Sequence, residues 1–156
     1  MQTHTEDTSQ WSVEDAGPQH EERIRALFQS VFAQEMTSTH WNWKYGNGRG
    51  VGVVVLNGDE VIAYFGGTER RVLFDNFPIV AMQCGDSMVA LSHRGILTRK
   101  GAFYRSVTAF LGKYVGAGLP YLLSYGFPNA RAMRLAQRLE LYDEVGLLME
   151  LAWLPK

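Results

Sequence analysis

Several features that would mark particular classes of protein are missing from this chain of 156 residues. Its single cysteine, Cys84, lies in an apolar run, so intramolecular disulfides are impossible and a buried core thiol is expected rather than a nucleophile. No run of about 18 apolar residues occurs, which argues against a membrane-spanning helix. The polar start of the chain lacks the basic-then-apolar layout of a signal peptide, so a location in the cytoplasm is expected.

An excess of charge of one sign is also missing. Fifteen basic residues face 16 acidic ones, giving a formal net charge of −1, so no global field favours nucleic acid or an anionic membrane. No His, Cys, Asp or Glu cluster has metal-ligand spacing, and no Ser-His-Asp arrangement is evident. What is present is a hydrophobic content of 46%, enough for one globular core.

The order of apolar patterns predicts one domain over residues 18–156, preceded by a flexible arm over residues 1–17. Within the arm, a short edge strand that includes Trp11 and Val13 is an alternative prediction. A helix is predicted to begin at Pro18. Its apolar face comprises Ile24, Leu27, Phe28, Val31 and Phe32.

A sheet is predicted next, after an aromatic and then Gly/Asn-rich loop over residues 40–50. Strands at 51–56 and 60–65 flank an Asn-Gly-Asp tight turn. A second hairpin covers residues 70–89, with its tip at residues 75–78 and a long apolar return strand typical of a sheet centre.

The remaining chain is predicted to alternate helices and strands. A helix with a buried face of Phe103, Val107, Phe110, Leu111 and Tyr114 is followed by a strand at 121–125, a helix at 129–139 and a final strand at 145–153. The fold class is therefore α/β (α+β mixed): a central mixed, mostly antiparallel sheet flanked by helices on both faces, and not a Rossmann sheet.

A basic turn lies between the central strand and the second long helix. It contains His93-Arg94-Gly95 and, a few residues later, Arg99-Lys100-Gly101-Ala102. Free N–H groups at a helix N-terminus, close backbone approach at glycine and paired Arg or Lys all favour phosphate. Neither the Walker pattern nor GxGxxG is present. The alternative is a solvated basic turn that only complements nearby carboxylates.

The element order and two motifs resemble the GNAT (Gcn5-related) N-acetyltransferase family over about residues 23–151. The stretch DSMV at residues 86–89, followed by HRG at 93–95, is similar to the family's central strand and its [Q/R]-x-x-G-x-[G/A] turn, whose amides bind the pyrophosphate of acetyl-CoA. The glycine spacing departs from the family after Gly95. Gly101 and Ala102 then supply small residues at the helix start.

The second motif is Asn129-x-x-Ala132-x-x-Leu135, which resembles the family helix whose asparagine lies beside the pantetheine arm. The family commonly has a tyrosine next, as general acid for the departing thiolate, and this chain has Ala136. The phrases WKY at 43–45 and YGFPN at 125–129 look like a poorly characterised branch that often carries an extra C-terminal domain.

The resemblance implies acetyl-CoA as donor and a site built from both motifs. Asp86 is the candidate base and Tyr125 the candidate acid. The alternative for each is a purely structural role, Asp86 as a cap or ion-pair partner and Tyr125 as a core aromatic. His40, Trp41 and Trp43 are candidates for lining an acceptor pocket. The implied cofactor-binding residues are Ser87, Met88, Val89, Arg94, Gly95, Arg99, Lys100, Gly101, Ala102 and Asn129.

Three functional hypotheses follow. The first is an N-acetyltransferase acting on the amine of a small molecule or peptide by direct transfer. The second, motivated by Ala136, is a catalytically silent acyl-CoA-binding module or subunit. The third is a homodimer formed through a sheet edge left open after Trp153, since the strand that usually completes the family's sheet is not evident.

Overall fold

The computed structural model describes residues 8–149. One five-stranded sheet carries its strands in chain order, and only the last pair, β4 and β5, is parallel. The strands are Trp11–Asp15 (β1), Gly50–Asn57 (β2), Glu60–Phe74 (β3), Phe77–Val89 (β4) and Ser124–Tyr125 (β5). The helices are Glu21–Phe32 (α1), Ser38–Tyr45 (α2), Ala102–Tyr114 (α3) and Ala130–Arg138 (α4). The predicted mixed, mostly antiparallel sheet is confirmed.

The central strands are buried on both faces, which explains their nearly continuous apolar sequence. Because side chains alternate along a strand, Tyr64 faces the cluster that contains Ile24 of α1, while Phe65 faces α3. The ring of Phe65 lies edge-on to that of Phe110, with 5.1 Å between centroids. Helices therefore cover both faces of the sheet, as predicted.

Two tight turns connect the central strands. Gly58 has a φ of 58° in the turn between β2 and β3. Asp75 and Asn76, with φ of 49° and 65°, form the two-residue turn between β3 and β4. Both turns are confirmed, but the strands predicted separately at 60–65 and from residue 70 are one continuous strand of 15 residues.

In the N-terminal third, the prediction of a loop was wrong, whereas the alternative of a short edge strand was correct. Residues 38–45 form a helix rather than the start of a loop, and the Thr37 side chain caps it by accepting from the His40 N–H at 3.1 Å. The expected arm is ordered from Trp11 onward, because β1 pairs antiparallel with β2. The short edge strand considered for Trp11 and Val13 is thus present. The boundary between arm and domain stays a prediction.

Two strand predictions near the C-terminus also need correction. The strand at 121–125 is reduced to Ser124–Tyr125, with Tyr121 making one isolated bridge to Val115. Residues 145–149 form no strand and are largely exposed, and the rest of the strand predicted at 145–153 lies outside the described residues. None of the described helices is both long and apolar enough to cross a membrane.

Candidate active site

The centre of the candidate site is a bulge in β4. Tyr64 pairs with Met88 and Gly66 pairs with Gly85, so two residues of β4, Asp86 and Ser87, lie opposite a single residue of β3. Asp86 adopts a left-handed conformation with a φ of 52°. Aspartate tolerates this conformation better than most residues, but it is uncommon for any side chain and concentrates at functional sites.

Beyond the bulge, β4 has an open edge. β5 pairs with β4 only at Met82 and Gln83, so residues 86–89 have no strand beside them on that side within the described chain. The Ala90 N–H donates to the Ile62 carbonyl at 2.8 Å. In an antiparallel ladder the direction alternates, so Val89 directs its N–H and C=O away from β3, toward the open edge.

Arg94 reaches back to this open edge. Its Nε donates to the Val89 carbonyl at 2.8 Å, although the side chain is otherwise exposed. The Val89 carbonyl is therefore occupied, whereas its N–H has no acceptor among the described residues and can donate to an extended ligand that adds to the sheet like another strand. The predicted cofactor residues Val89 and Arg94 thus lie in direct contact.

A cavity of about 810 Å³ lies where β4 and β5 separate. Gly85 and Ser87 line it from β4, and Tyr125 lines it from β5. A Cβ on Gly85 would meet no atom within 4 Å, which leaves the backbone accessible there. Other walls come from α3, from α4 and from the chain after α4, through residues such as Leu111, Met133, Tyr142 and Leu147.

Two ionisable side chains of this cavity are held neutral. Burial raises the pKa of the Cys84 thiol to about 11, and it raises the pKa of the Tyr142 phenol well above its ordinary value. A thiolate at Cys84 is therefore disfavoured near neutral pH, which argues against a nucleophile. The predicted burial in the core is only partial, because the residue is of intermediate exposure and lines the cavity. Tyr125 packs edge-on against Phe127, with 6.0 Å between ring centroids.

The basic turn leads into the N-terminus of α3 without lining the cavity. The N–H groups of Ala102, Phe103 and Tyr104 have no acceptor among the described residues, as expected for the first turn of a helix. A Cβ on Gly101 would lie 2.0 Å from the Ile96 carbonyl, so the loop itself requires this glycine. Free N–H groups beside exposed Lys100 make this helix end suitable for a phosphate.

Arg99 joins this turn to the end of α4 through its guanidinium, which lies 2.5 Å from the Glu140 carboxylate. At the other end of α4, the Asn129 side chain accepts from the Ala132 N–H at 2.9 Å and so acts as the N-cap. Its amide NH₂ remains available as a donor. Ala136, at the position where the family motif commonly has tyrosine, is completely buried.

Asp86 has two partners that the sequence reading missed. Its Oδ2 accepts from the Lys44 ammonium at 2.6 Å and from the Tyr45 hydroxyl at 2.5 Å. Tyr64 packs against Tyr45, and burial raises the pKa of both phenols far above the ordinary value. The WKY motif at residues 43–45 is the sequence signal that marks this cluster, but it was read as part of a loop.

The predicted site residues therefore fall into separate groups. Ser87 and Tyr125 line the cavity, whereas the basic turn and Asn129 lie outside its lining. Met88 is buried at 2% exposure in the core on the α1 side. Trp41 also packs in that core, while Trp43 is 67% exposed. Among the described residues, no three His, Cys, Asp or Glu side chains are placed to hold a metal ion.

Several solved structures with the same architecture are named as acetyltransferases. An aminoglycoside acetyltransferase from an uncultured soil metagenomic sample, in complex with trehalose, is similar at a TM-score of 0.71 and 12% identity, with 94% of this chain and 97% of that chain covered. The aminoglycoside N-acetyltransferase AAC(6')-Iy in complex with CoA is similar at a TM-score of 0.68 and 12% identity, with 91% of this chain and 94% of that chain covered. The chain has the GNAT fold.

A third structural neighbour is larger. It is a conserved protein of unknown function from Enterococcus faecalis V583, named "Probable N-Acyltransferase", with a TM-score of 0.64 and 18% identity. The alignment covers 82% of this chain but only 31% of that one. No protein-family model matches the sequence, and no curated protein matches it. At these identities the likeness establishes the fold, and activity has to be argued from the site.

Proposed function

We propose that this chain is an N-acyltransferase that transfers an acetyl group from acetyl-CoA directly to the amine of a small molecule or peptide. The observation that carries the proposal is the unpaired β4 edge at the Asp86 bulge, beside the cavity. Several of the fold neighbours are named as acetyltransferases, and one of these is a complex with CoA. The same fold alone would not support an activity without this opening.

The residues present fit acetyl-CoA in three places. The free N–H of Val89 would pair with the extended pantetheine arm, and the donor amide of Asn129 would contact the same arm. The first turn of α3, with Arg99 and Lys100 beside it, would hold phosphate oxygens. We place the predicted residues Ser87, Met88, Gly95, Gly101 and Ala102 in the backbone that forms this path.

Direct transfer needs a base for the acceptor ammonium and a donor for the developing oxyanion. Asp86 is the base in this proposal, because it is the carboxylate that lies next to the open edge. Backbone N–H groups of the β4 edge would polarise the thioester carbonyl. Tyr125, on the cavity wall, is the candidate donor of a proton to the leaving thiolate, a role for which Ala136 has no suitable atom.

The second candidate function is a silent acyl-CoA-binding module. Two observations favour it: Ala136 lacks the hydroxyl of the family's usual acid, and Asp86 already accepts from Lys44 and Tyr45. Both candidates require the same CoA site and differ only in turnover. A homodimer through the open sheet edge stays a separate prediction.

The test combines binding and turnover. Calorimetry is expected to show CoA binding that Arg94→Ala weakens by about 1.5–3 kcal/mol, the cost of losing a hydrogen bond to a charged phosphate. Asn129→Ala should weaken it by about 0.5–1.5 kcal/mol, because its contact is with the uncharged pantetheine arm. Leu122→Ala, on the exposed surface, is the matched control. Release of free thiol from acetyl-CoA with any member of an amine panel establishes the transferase. Binding without release supports the silent module, and no binding contradicts both.

A further inference from the structure

Lys44 occupies an unusual position for a lysine of a surface helix. It lies in the last turn of α2, yet its side chain is only 28% exposed because the ammonium is directed to Asp86. The carboxylate, 15% exposed, belongs to the bulge residue whose neighbours form the open β4 edge. Asp86 therefore connects the primary amine of Lys44 to the β4 edge where a thioester is proposed to bind.

The alternative is that this ion pair only fastens α2 to the sheet. Tyr45 already does so, since its hydroxyl donates to the same Oδ2 and its ring packs in the core against Tyr64. Lys44 therefore adds a second hydrogen-bond donor to Asp86 Oδ2, which already accepts a hydrogen bond from Tyr45. The lysine nitrogen lies 2.6 Å from Oδ2, the distance at which an amine would donate a proton to this carboxylate.

We propose that Lys44 is a self-acylation site, with its ε-amine as acceptor of an acyl group from an acyl-CoA thioester. The inference rests on the proposed function, because it uses the same acyl donor and the same base. In the step, Asp86 takes one proton from the ammonium, and Nζ attacks the thioester carbonyl carbon. The C–N bond forms, the C–S bond breaks, and the second nitrogen proton leaves with the CoA thiolate as thiol.

The product has a consequence for the site. An acylated Lys44 is a neutral amide and no longer pairs with Asp86 as a cation. The carboxylate would then keep Tyr45 as its partner and face the open edge without a competing ammonium. Self-acylation would thus convert an occupied carboxylate into one available to an external amine.

The chain offers a matched control for non-enzymatic acylation. Lys113 also pairs with an aspartate, Asp15, but it lies on α3, and both its side chain and that of Asp15 are 51% exposed. Chemical acetylation by free acetyl-CoA favours the more exposed amine. The hydrogen bond with Asp15 also raises the pKa of the Lys113 ammonium, which slows its background reaction. Selective reaction at Lys44 therefore distinguishes catalysis by the site from background chemistry when it also depends on Asp86.

The experiment incubates the purified protein with acetyl-CoA and follows peptides containing Lys44 and Lys113 by mass spectrometry over time. Lys44 is expected to be acetylated faster than Lys113. Asp86→Asn is expected to slow the acetylation of Lys44 by about a hundredfold, the scale of general-base catalysis, and to leave the acetylation rate of Lys113 unchanged. Circular dichroism checks the fold of the variant, and Lys44→Arg should abolish the selective product in an otherwise intact protein.

Equal or slower reaction at Lys44 than at Lys113 in the native protein would overturn the inference, whether or not Asp86→Asn folds. An unchanged Lys44 rate in folded Asp86→Asn would also overturn it. The proposed function is tested separately by calorimetry and thiol release. Thiol release with external amines but no acylated Lys44 would refute self-acylation alone, whereas absence of CoA binding would refute both.

Discussion

The two walls of the cavity are built very differently. On one side, β3 and β4 are sandwiched between helices, and Phe65 and Phe110 have at most 1% of their surface exposed. On the other side, β5 has two residues, and the chain after α4 leaves Val145 99% and Leu147 86% exposed. Stability is therefore concentrated in the first wall, and the second is the part that a bound ligand can most readily order.

The largest effect is expected from the well-packed wall. Phe110→Ala removes a fully buried ring that contacts Phe65 and Tyr114, so the free energy of unfolding should fall by about 3–5 kcal/mol. Urea unfolding followed by fluorescence measures the change. A loss below about 1 kcal/mol would show that this wall is not the source of stability.

An intermediate effect is expected where α4 begins in the second wall. Asn129→Ala removes the N-cap hydrogen bond to Ala132 and should cost about 1 kcal/mol of stability. Asn129→Ser retains a capping oxygen but lacks the amide donor. If Asn129 also contacts pantetheine, the serine variant keeps stability and loses CoA affinity in calorimetry. Full affinity in the serine variant would restrict Asn129 to capping.

The smallest effect is expected after α4. Leu147→Ser changes a side chain that is 86% exposed, so the free energy of unfolding in the absence of ligand should change by less than about 0.5 kcal/mol. The same urea experiment measures it. A loss comparable to that of Phe110→Ala would mean that both walls are equally packed, against the comparison drawn above.

The difference between the walls also explains how far the sequence could predict the structure. The apolar faces of α1 and α3 repeat at helical spacing, and the β turns carry Asn, Asp and Gly, so local patterns sufficed there. Helix α2 was not predicted because it has only eight residues, several of them aromatic with weak helix propensity, and because it depends on the Thr37 cap.

The second wall and the bulge depend on contacts that no local pattern encodes. The apolar residues 145–149 have strand-like composition, but a strand requires a neighbouring edge, and no strand of the described residues pairs with them. The left-handed Asp86 follows from the register between β3 and β4. The motif resemblance pointed to Asp86, yet only the fold brings Lys44 and Tyr45 to its carboxylate.

The central claim is that the open edge of β4 beyond the Asp86 bulge binds acyl-CoA. Amide hydrogen exchange, measured residue by residue with and without saturating CoA, tests it most directly. We predict that exchange at the Val89 amide slows on CoA binding, while the Ala90 amide, already bonded to Ile62, changes little. CoA binding with unchanged exchange at Val89, or no binding, would contradict the account.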